Sequence, residues 1–160
     1  MIRYTDLLSD TICAQITAAG FSGVTVLRVS GENSLAALRL LCPNLPDNLE
    51  SHRCYLTEIF DSTTERRIDS VLISYFAMGQ SFTGDEVVEI SCHGNPSISQ
   101  AILSLLFKNG CRLAEKGEFS FRAFYNGKID LVQAESINSL IHSPGAETID
   151  LVLELSLIHI

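Results

Sequence analysis

The sequence predicts an α+β fold, a mostly antiparallel sheet with flanking helices, and three observations carry that prediction. Strand-like and helix-like segments mix without the regular strand–crossover helix alternation of a parallel sheet. Two pairs of strand-like runs flank turns, at Gly20–Gly23 and Asp61–Arg67. The apolar fraction, 46% of 160 residues, is enough for a real core at this size.

The elements follow in order. Thr11 to Thr17 and Gly23 to Ser30 read as strands, rich in β-branched residues. Asn33 is placed to cap a short helix, Ser34 to Leu41, which Pro43 and Pro46 end. Cys54 to Phe60 and Ile68 to Phe76 form a hairpin around the polar Asp61–Arg67 turn. A loop, Met78 to Gly84, precedes a strand from Asp85 to Cys92. Pro96 opens a helix whose Ile98, Ala101, Ile102, Leu105 and Leu106 share a face, and Asn109-Gly110 ends it. Arg112 to Ala114 reads as a short strand and Glu118 to Tyr125 as a helix. Asp130 caps another helix, with Gln133 completing a capping box, and Leu131, Ala134, Ile137, Leu140 and Ile141 make its apolar stripe. Ser143-Pro144-Gly145 interrupts it, and a further helical stretch begins near Ala146. The apolar end, Leu155 to Ile160, wants a partner surface, so the chain reads as incomplete.

Composition narrows the function. Five cysteines, an odd number with no Cys-x-x-Cys pair, argue against a disulfide framework or structural zinc and for buried free thiols. A net charge of −8 with scattered Lys and Arg makes this segment a poor principal nucleic-acid-binding surface. The apolar run Leu151–Ile160 is well short of the roughly 20 residues that span a bilayer. The polar first ten residues do not read as a secretory leader, which makes a cytoplasmic location the expectation. Gly127-Lys128 fails as a phosphate-binding loop: Arg122 stands where the first glycine is needed, and Ile129 where Ser or Thr is needed. Hydrolysis of a nucleoside triphosphate is therefore not expected of this chain alone. Cys92 and His93, adjacent on a strand, point to opposite faces and do not make a thiol–base pair.

Two segments are far more specific. One runs Ser81-Phe82-Thr83-Gly84-Asp85-Glu86-Val87-Val88-Glu89-Ile90-Ser91-Cys92-His93-Gly94-Asn95-Pro96. The other runs Gly117-Glu118-Phe119-Ser120-Phe121-Arg122-Ala123-Phe124-Tyr125-Asn126-Gly127-Lys128-Ile129-Asp130-Leu131-Val132-Gln133-Ala134-Glu135. With Val26-Leu27-Arg28-Val29-Ser30-Gly31, in this order and spacing, they closely resemble the N-terminal region of tRNA-modification GTPases of the MnmE (TrmE) type. The resemblance runs from Asp10 to about Ile141. It departs at loop positions, among them Asn95, where a second glycine is usual, and Lys116, where a proline is usual.

That resemblance implies residues 1–128 as a folate-binding, homodimer-forming domain similar to the folate-binding part of glycine-cleavage T-proteins. It implies residues 129–160 as the beginning of a truncated helical domain. GTP, magnesium and potassium would belong to an absent GTPase domain. The family acts with a flavin-dependent partner of the MnmG (GidA) type on C5 of the wobble uridine of tRNA. The one-carbon donor is a tetrahydrofolate derivative, in a 5-formyl or methylene form. Contacts to tRNA would come mainly from other domains or the partner.

Arg28, Glu89 and Lys128 carry over as folate-binding positions, with no catalytic residue and no metal ligand assigned. A pterin offers an amino group and a ring N–H side by side, which a carboxylate accepts together. Glu89 suits this, lying opposite Val88, Ile90 and Cys92 on its strand; the plain alternative is a solvated strand glutamate. Arg28, inside an apolar strand, needs either a ligand or a structural ion-pair partner. Lys128 sits in an interhelical turn, where a solvated lysine is the ordinary outcome. Two other functions stay open: a free-standing folate-dependent aminomethyl or one-carbon transferase of the T-protein type, and a purely structural dimerisation fragment. The turn His93-Gly94 before the Pro96 helix reads either as an anion-receiving helix start or as a bend that needs glycine.

Overall fold

The computed structural model describes residues 6–142 and residue 145. The described residues pack as two compact units, one within Met1–Ser81 and Asp85–Lys116, the other within Phe82–Gly84 and Gly117–Ile160.

The first unit contains α1 (Asp6–Ser9), β1 (Ile12–Gln15), β2 (Val24–Ser30), α2 (Ser34–Leu41), β3 (Arg53–Asp61), β4 (Arg66–Phe76), β5 (Val87–His93), α3 (Pro96–Lys108) and β6 (Arg112–Leu113). Its six strands form one sheet in the order β3-β4-β5-β2-β1-β6. Every pairing is antiparallel except β1 with β6, so the sheet is mixed but mostly antiparallel, as expected of the α+β class. One face is covered. Leu27, Val29, Ile73, Val88 and Ile90 from the strands pack there with Leu38 and Leu41 of α2 and Ile102 and Leu106 of α3. These strand residues alternate with partly exposed ones, the period-two pattern of a sheet buried on one side.

Two local expectations need correction. The β3–β4 turn is shorter than predicted, Ser62 to Glu65, because Arg66 and Arg67 join the ladder opposite Asp61 and Phe60. Asp61 Oδ1 accepts the Thr63 N–H at 2.9 Å, and Glu65 takes a left-handed φ of 55° to close the turn. Asn33 does occupy the N-cap position of α2, but its side chain makes no capping hydrogen bond. Glu86 takes that role, its Oε2 accepting the Leu35 N–H at 3.1 Å. At α3 Pro96 opens the helix as expected, and the Asn95 side chain caps it by accepting the Ser97 N–H.

The second unit contains α4 (Glu118–Tyr125) and α5 (Leu131–Ile141), with the strap Phe82–Gly84 packed beside their connection. Gly127, at φ +70°, turns the chain, and the Lys128 N–H reaches back to the Ala123 carbonyl at 2.8 Å. Asp130 and Gln133 form the predicted reciprocal capping box. Asn126 Nδ2 donates to the Thr83 carbonyl at 2.7 Å. A Cβ at Gly84, whose φ is +85°, would press on the side chains of Asn126 and Lys128. The predicted α5 stripe is only partly covered, since Leu131 and Ile141 are 59% and 72% exposed. The interruption at Ser143-Pro144, the helical stretch expected near Ala146 and the apolar run Leu151–Ile160 lie outside the described residues, apart from Gly145.

Candidate functional site

Strand register brings Arg28 and Glu89 together. They are direct cross-strand partners on β2 and β5, in a row that continues through Ala14, Ser74 and Cys54. This row lies on the sheet face opposite the helices. Arg28 Nε and Nη2 both donate to Glu89 Oε1, at 2.9 and 2.8 Å, and both side chains remain about a fifth exposed. The ion pair considered for Arg28 is thus formed, and its partner is the other candidate. Only one oxygen of Glu89 is engaged by Arg28, so Oε2 keeps its lone pairs for a further donor.

Two residues along the strands, the next row holds Val26, Ser91, Leu72 and Leu56. Of these, Ser91, Leu72 and Leu56 edge a shallow cavity of about 190 Å³ together with Val24 and His93. Leu56 and Leu72 are 77% and 46% exposed, so a half-buried ion pair stands beside an uncovered apolar shelf. A flat heterocycle with an edge of N–H donors matches that combination: carboxylate for the edge, shelf for the ring. Lys128, the third candidate, is exposed in the second unit, after the αL turn at Gly127.

Sequence reasoning missed several polar residues that hold the 81–96 segment in place. Ser30 Oγ donates to Asp85 Oδ2 at 2.9 Å, while Ser81 Oγ donates to the Asp85 carbonyl at 2.6 Å. Glu86 caps α2 and accepts the Tyr75 hydroxyl at 3.3 Å. Asp69, itself buried, accepts both the backbone N–H of His93, at 2.9 Å, and its ring Nδ1–H, at 2.7 Å. That pair fixes the tautomer, with the proton on Nδ1. Cys92 is buried with its Sγ toward the Thr25 carbonyl, while the His93 side chain is largely exposed, so the two do not form a nucleophile–base pair. Burial, together with the nearby Asp69 charge, pushes the Cys92 thiol up to about 11. Gly94 is required by close approach: a Cβ there would overlap the Ser22 backbone. The bend that needs glycine is therefore the reading the geometry supports. Among the described residues no cluster of three or more His, Cys, Asp or Glu could hold a metal, and no helix is long and apolar enough to cross a membrane.

Comparison with known proteins gives a consistent result. Residues 11–128 match the family described as "GTP-binding protein TrmE N-terminus". The tRNA modification GTPase MnmE of Bdellovibrio bacteriovorus is 51% identical over 153 residues, covering 96% of this chain and 32% of that protein. The proteins of the same name from Koribacter versatilis and Christiangramia forsetii are 42% and 40% identical, over 85% and 92% of this chain. The chain spans about a third of the length of these relatives, 32%, 30% and 31% respectively. The match includes both specific segments up to Lys128, with Arg28 and Glu89 among the matched positions, and the chain therefore belongs to the TrmE N-terminal family, aligning with part of tRNA modification GTPases of the MnmE type.

Proposed function

We propose that this chain is the folate-binding and dimer-forming part of a tRNA-modifying GTPase, holding a tetrahydrofolate one-carbon derivative through Arg28, Glu89 and Lys128. The single observation that carries this reading is the half-buried Arg28–Glu89 pair beside the Leu56–Leu72 shelf. In this reading Glu89 Oε2 accepts the paired N–H donors of the pterin, and Arg28 holds the carboxylate in place. Lys128 supplies positive charge to an anionic part of the folate. When bound, the folate supplies the one-carbon unit; the residues of this chain bind and orient it. The similarity to the T-protein folate domain is part of the same reading.

The uncovered residues Leu56, Leu72, Val24 and Ile16 support self-association into a homodimer. Modification of the wobble uridine at C5, the MnmG (GidA)-type flavoprotein partner, and a cytoplasmic setting belong to the whole-protein proposal. GTP hydrolysis with magnesium and potassium would reside elsewhere in the longer protein, and tRNA contacts mainly there or on the partner. The engaged Oε1 of Glu89 equally suits a structural dimerisation role, and ligand titration separates the two. Calorimetric titration with 5-formyltetrahydrofolate is expected to show saturable binding, lost in Glu89→Ala and in Lys128→Ala. A folded wild-type chain that binds nothing overturns the folate reading for this chain.

A further inference from the structure

An exposed imidazole at the end of β5 is held by a buried carboxylate. Asp69 is 8% exposed and receives three donors: the Ser70 N–H at 2.9 Å, the His93 N–H at 2.9 Å and the His93 Nδ1–H at 2.7 Å. The two backbone donors already offset part of the cost of burying that charge. The third orders a side chain that is 70% exposed and would otherwise turn freely. It also leaves Nε2 as an acceptor, and no other group among the described residues bonds the ring.

His93 stands in line with Glu89. Glu89, Ser91 and His93 are alternate residues of β5, and Leu72 lies opposite Ser91. Four residues of strand set Glu89 and His93 about 13 Å apart. Ser91, Leu72, Leu56 and Val24 edge the shallow cavity that His93 also lines. A ligand whose donor edge meets Glu89 and whose ring rests on Leu72 would thus carry its next polar group toward His93.

We propose that His93 is a ligand-contacting, specificity-determining residue of this face, its Nε2 accepting the N–H of the secondary aryl amine, N10, that follows the pterin in a tetrahydrofolate. This inference rests on the folate reading above. The imidazole then selects among reduced folates: a form with a free N10–H is held more tightly than one substituted at that nitrogen, which leaves Nε2 facing no donor. Asp69 sets the tautomer on which this depends, because a proton on Nε2 would meet the amine N–H donor to donor.

The test is calorimetric titration of the full chain, in alkaline buffer where imidazole is an acceptor, with 5-formyltetrahydrofolate and with its N10-methyl counterpart. Wild type is expected to bind the first about fivefold more tightly. In His93→Asn the amide keeps a donor for Asp69 but the Nε2 acceptor is gone, so the variant should bind both ligands alike, at the wild-type affinity for the methylated one. A preference that survives in His93→Asn overturns the proposal, since bulk at N10 would then account for it, and so does a wild type with no preference. Diethyl pyrocarbonate modification, read by peptide mass spectrometry, needs no substitution. Saturating 5-formyltetrahydrofolate should protect His93 and leave the exposed His52 reactive, and an unchanged rate at His93 overturns the contact. Binding that is lost in Glu89→Ala but indifferent to N10 and to His93 overturns this inference alone. A folded wild-type chain that binds neither ligand overturns the folate reading with it.

Discussion

β2, β3, β4 and β5 supply both faces of the sheet from alternate residues of the same segments, and the two faces end differently. Toward the helices, Leu27, Ile73, Val88 and Ile90 have no exposed surface. On the other side, Val24, Leu56 and Leu72 keep 56%, 77% and 46% exposure, next to the Arg28–Glu89 pair. One-sided burial suffices to specify the register, because a slip by one residue would turn the whole apolar set outward. The open face is therefore free of the packing constraint. Apolar residues there do not stabilise the isolated fold, and a patch of them beside charge is the chemistry of a surface that meets something.

The largest expected effect tests the covered face. Ile90→Ala should destabilise the chain by about 2–5 kcal/mol in denaturant titration, as large-to-small changes in packed cores do. Leu56→Ala, on the open face, should stay within about 0.5 kcal/mol if that face is bare in solution. A larger, concentration-dependent loss for Leu56→Ala would mean that a second copy covers the face. The comparison would then sharpen: both faces buried, one by helices and one by association.

A smaller effect belongs to the strand that feeds both faces. Glu86, just before β5, satisfies an N-terminal donor of α2 through Leu35 and accepts the Tyr75 hydroxyl. Glu86→Ala should cost roughly 1 kcal/mol, the usual scale of a lost N-cap, measured by thermal unfolding. Since α2 packs on the covered face, the loss should appear without any change in ligand binding. A selective loss of folate affinity with unchanged stability would instead place Glu86 in the binding surface.

What could be read from the sequence divides along a similar line. Asp130 and Gln133 lie three residues apart, so their capping box was visible in the chain, as was the period-two alternation of β5. Arg28 and Glu89 were each placed on a strand, but their meeting, across 61 residues, depends on register that no local pattern encodes. The same holds for Glu86, which caps a helix 51 residues away, and for Asp69, which holds His93 across 24. Asn33 looked like the α2 cap because residue type and position suited it, and the more distant carboxylate took the role. The short β3–β4 turn was missed for a related reason. Arg66 and Arg67 read as turn residues by polarity, yet Arg67 pairs with Glu58 at 2.7 Å across the ladder.

That turn supplies the smallest and most pH-sensitive effect. Asp61 accepts the Thr63 N–H, and this bond above all, with the neighbouring Thr64 and the charge of Lys108, holds its carboxyl below the usual range against the opposing effect of desolvation. A carboxyl that binds its proton less tightly when folded contributes stability above its unfolded value of about 3.9, and that contribution is lost as pH falls through the lower folded value. Asp61→Asn keeps an oxygen acceptor for the turn but removes the charge. Thermal melts of wild type and variant should therefore differ slightly at neutral pH and converge as the solution is acidified past the carboxylate range. A gap that stays constant with pH would mean that the side chain acts on the turn through shape alone, and the hairpin end of the sheet would then carry no charge-dependent stability from this carboxylate.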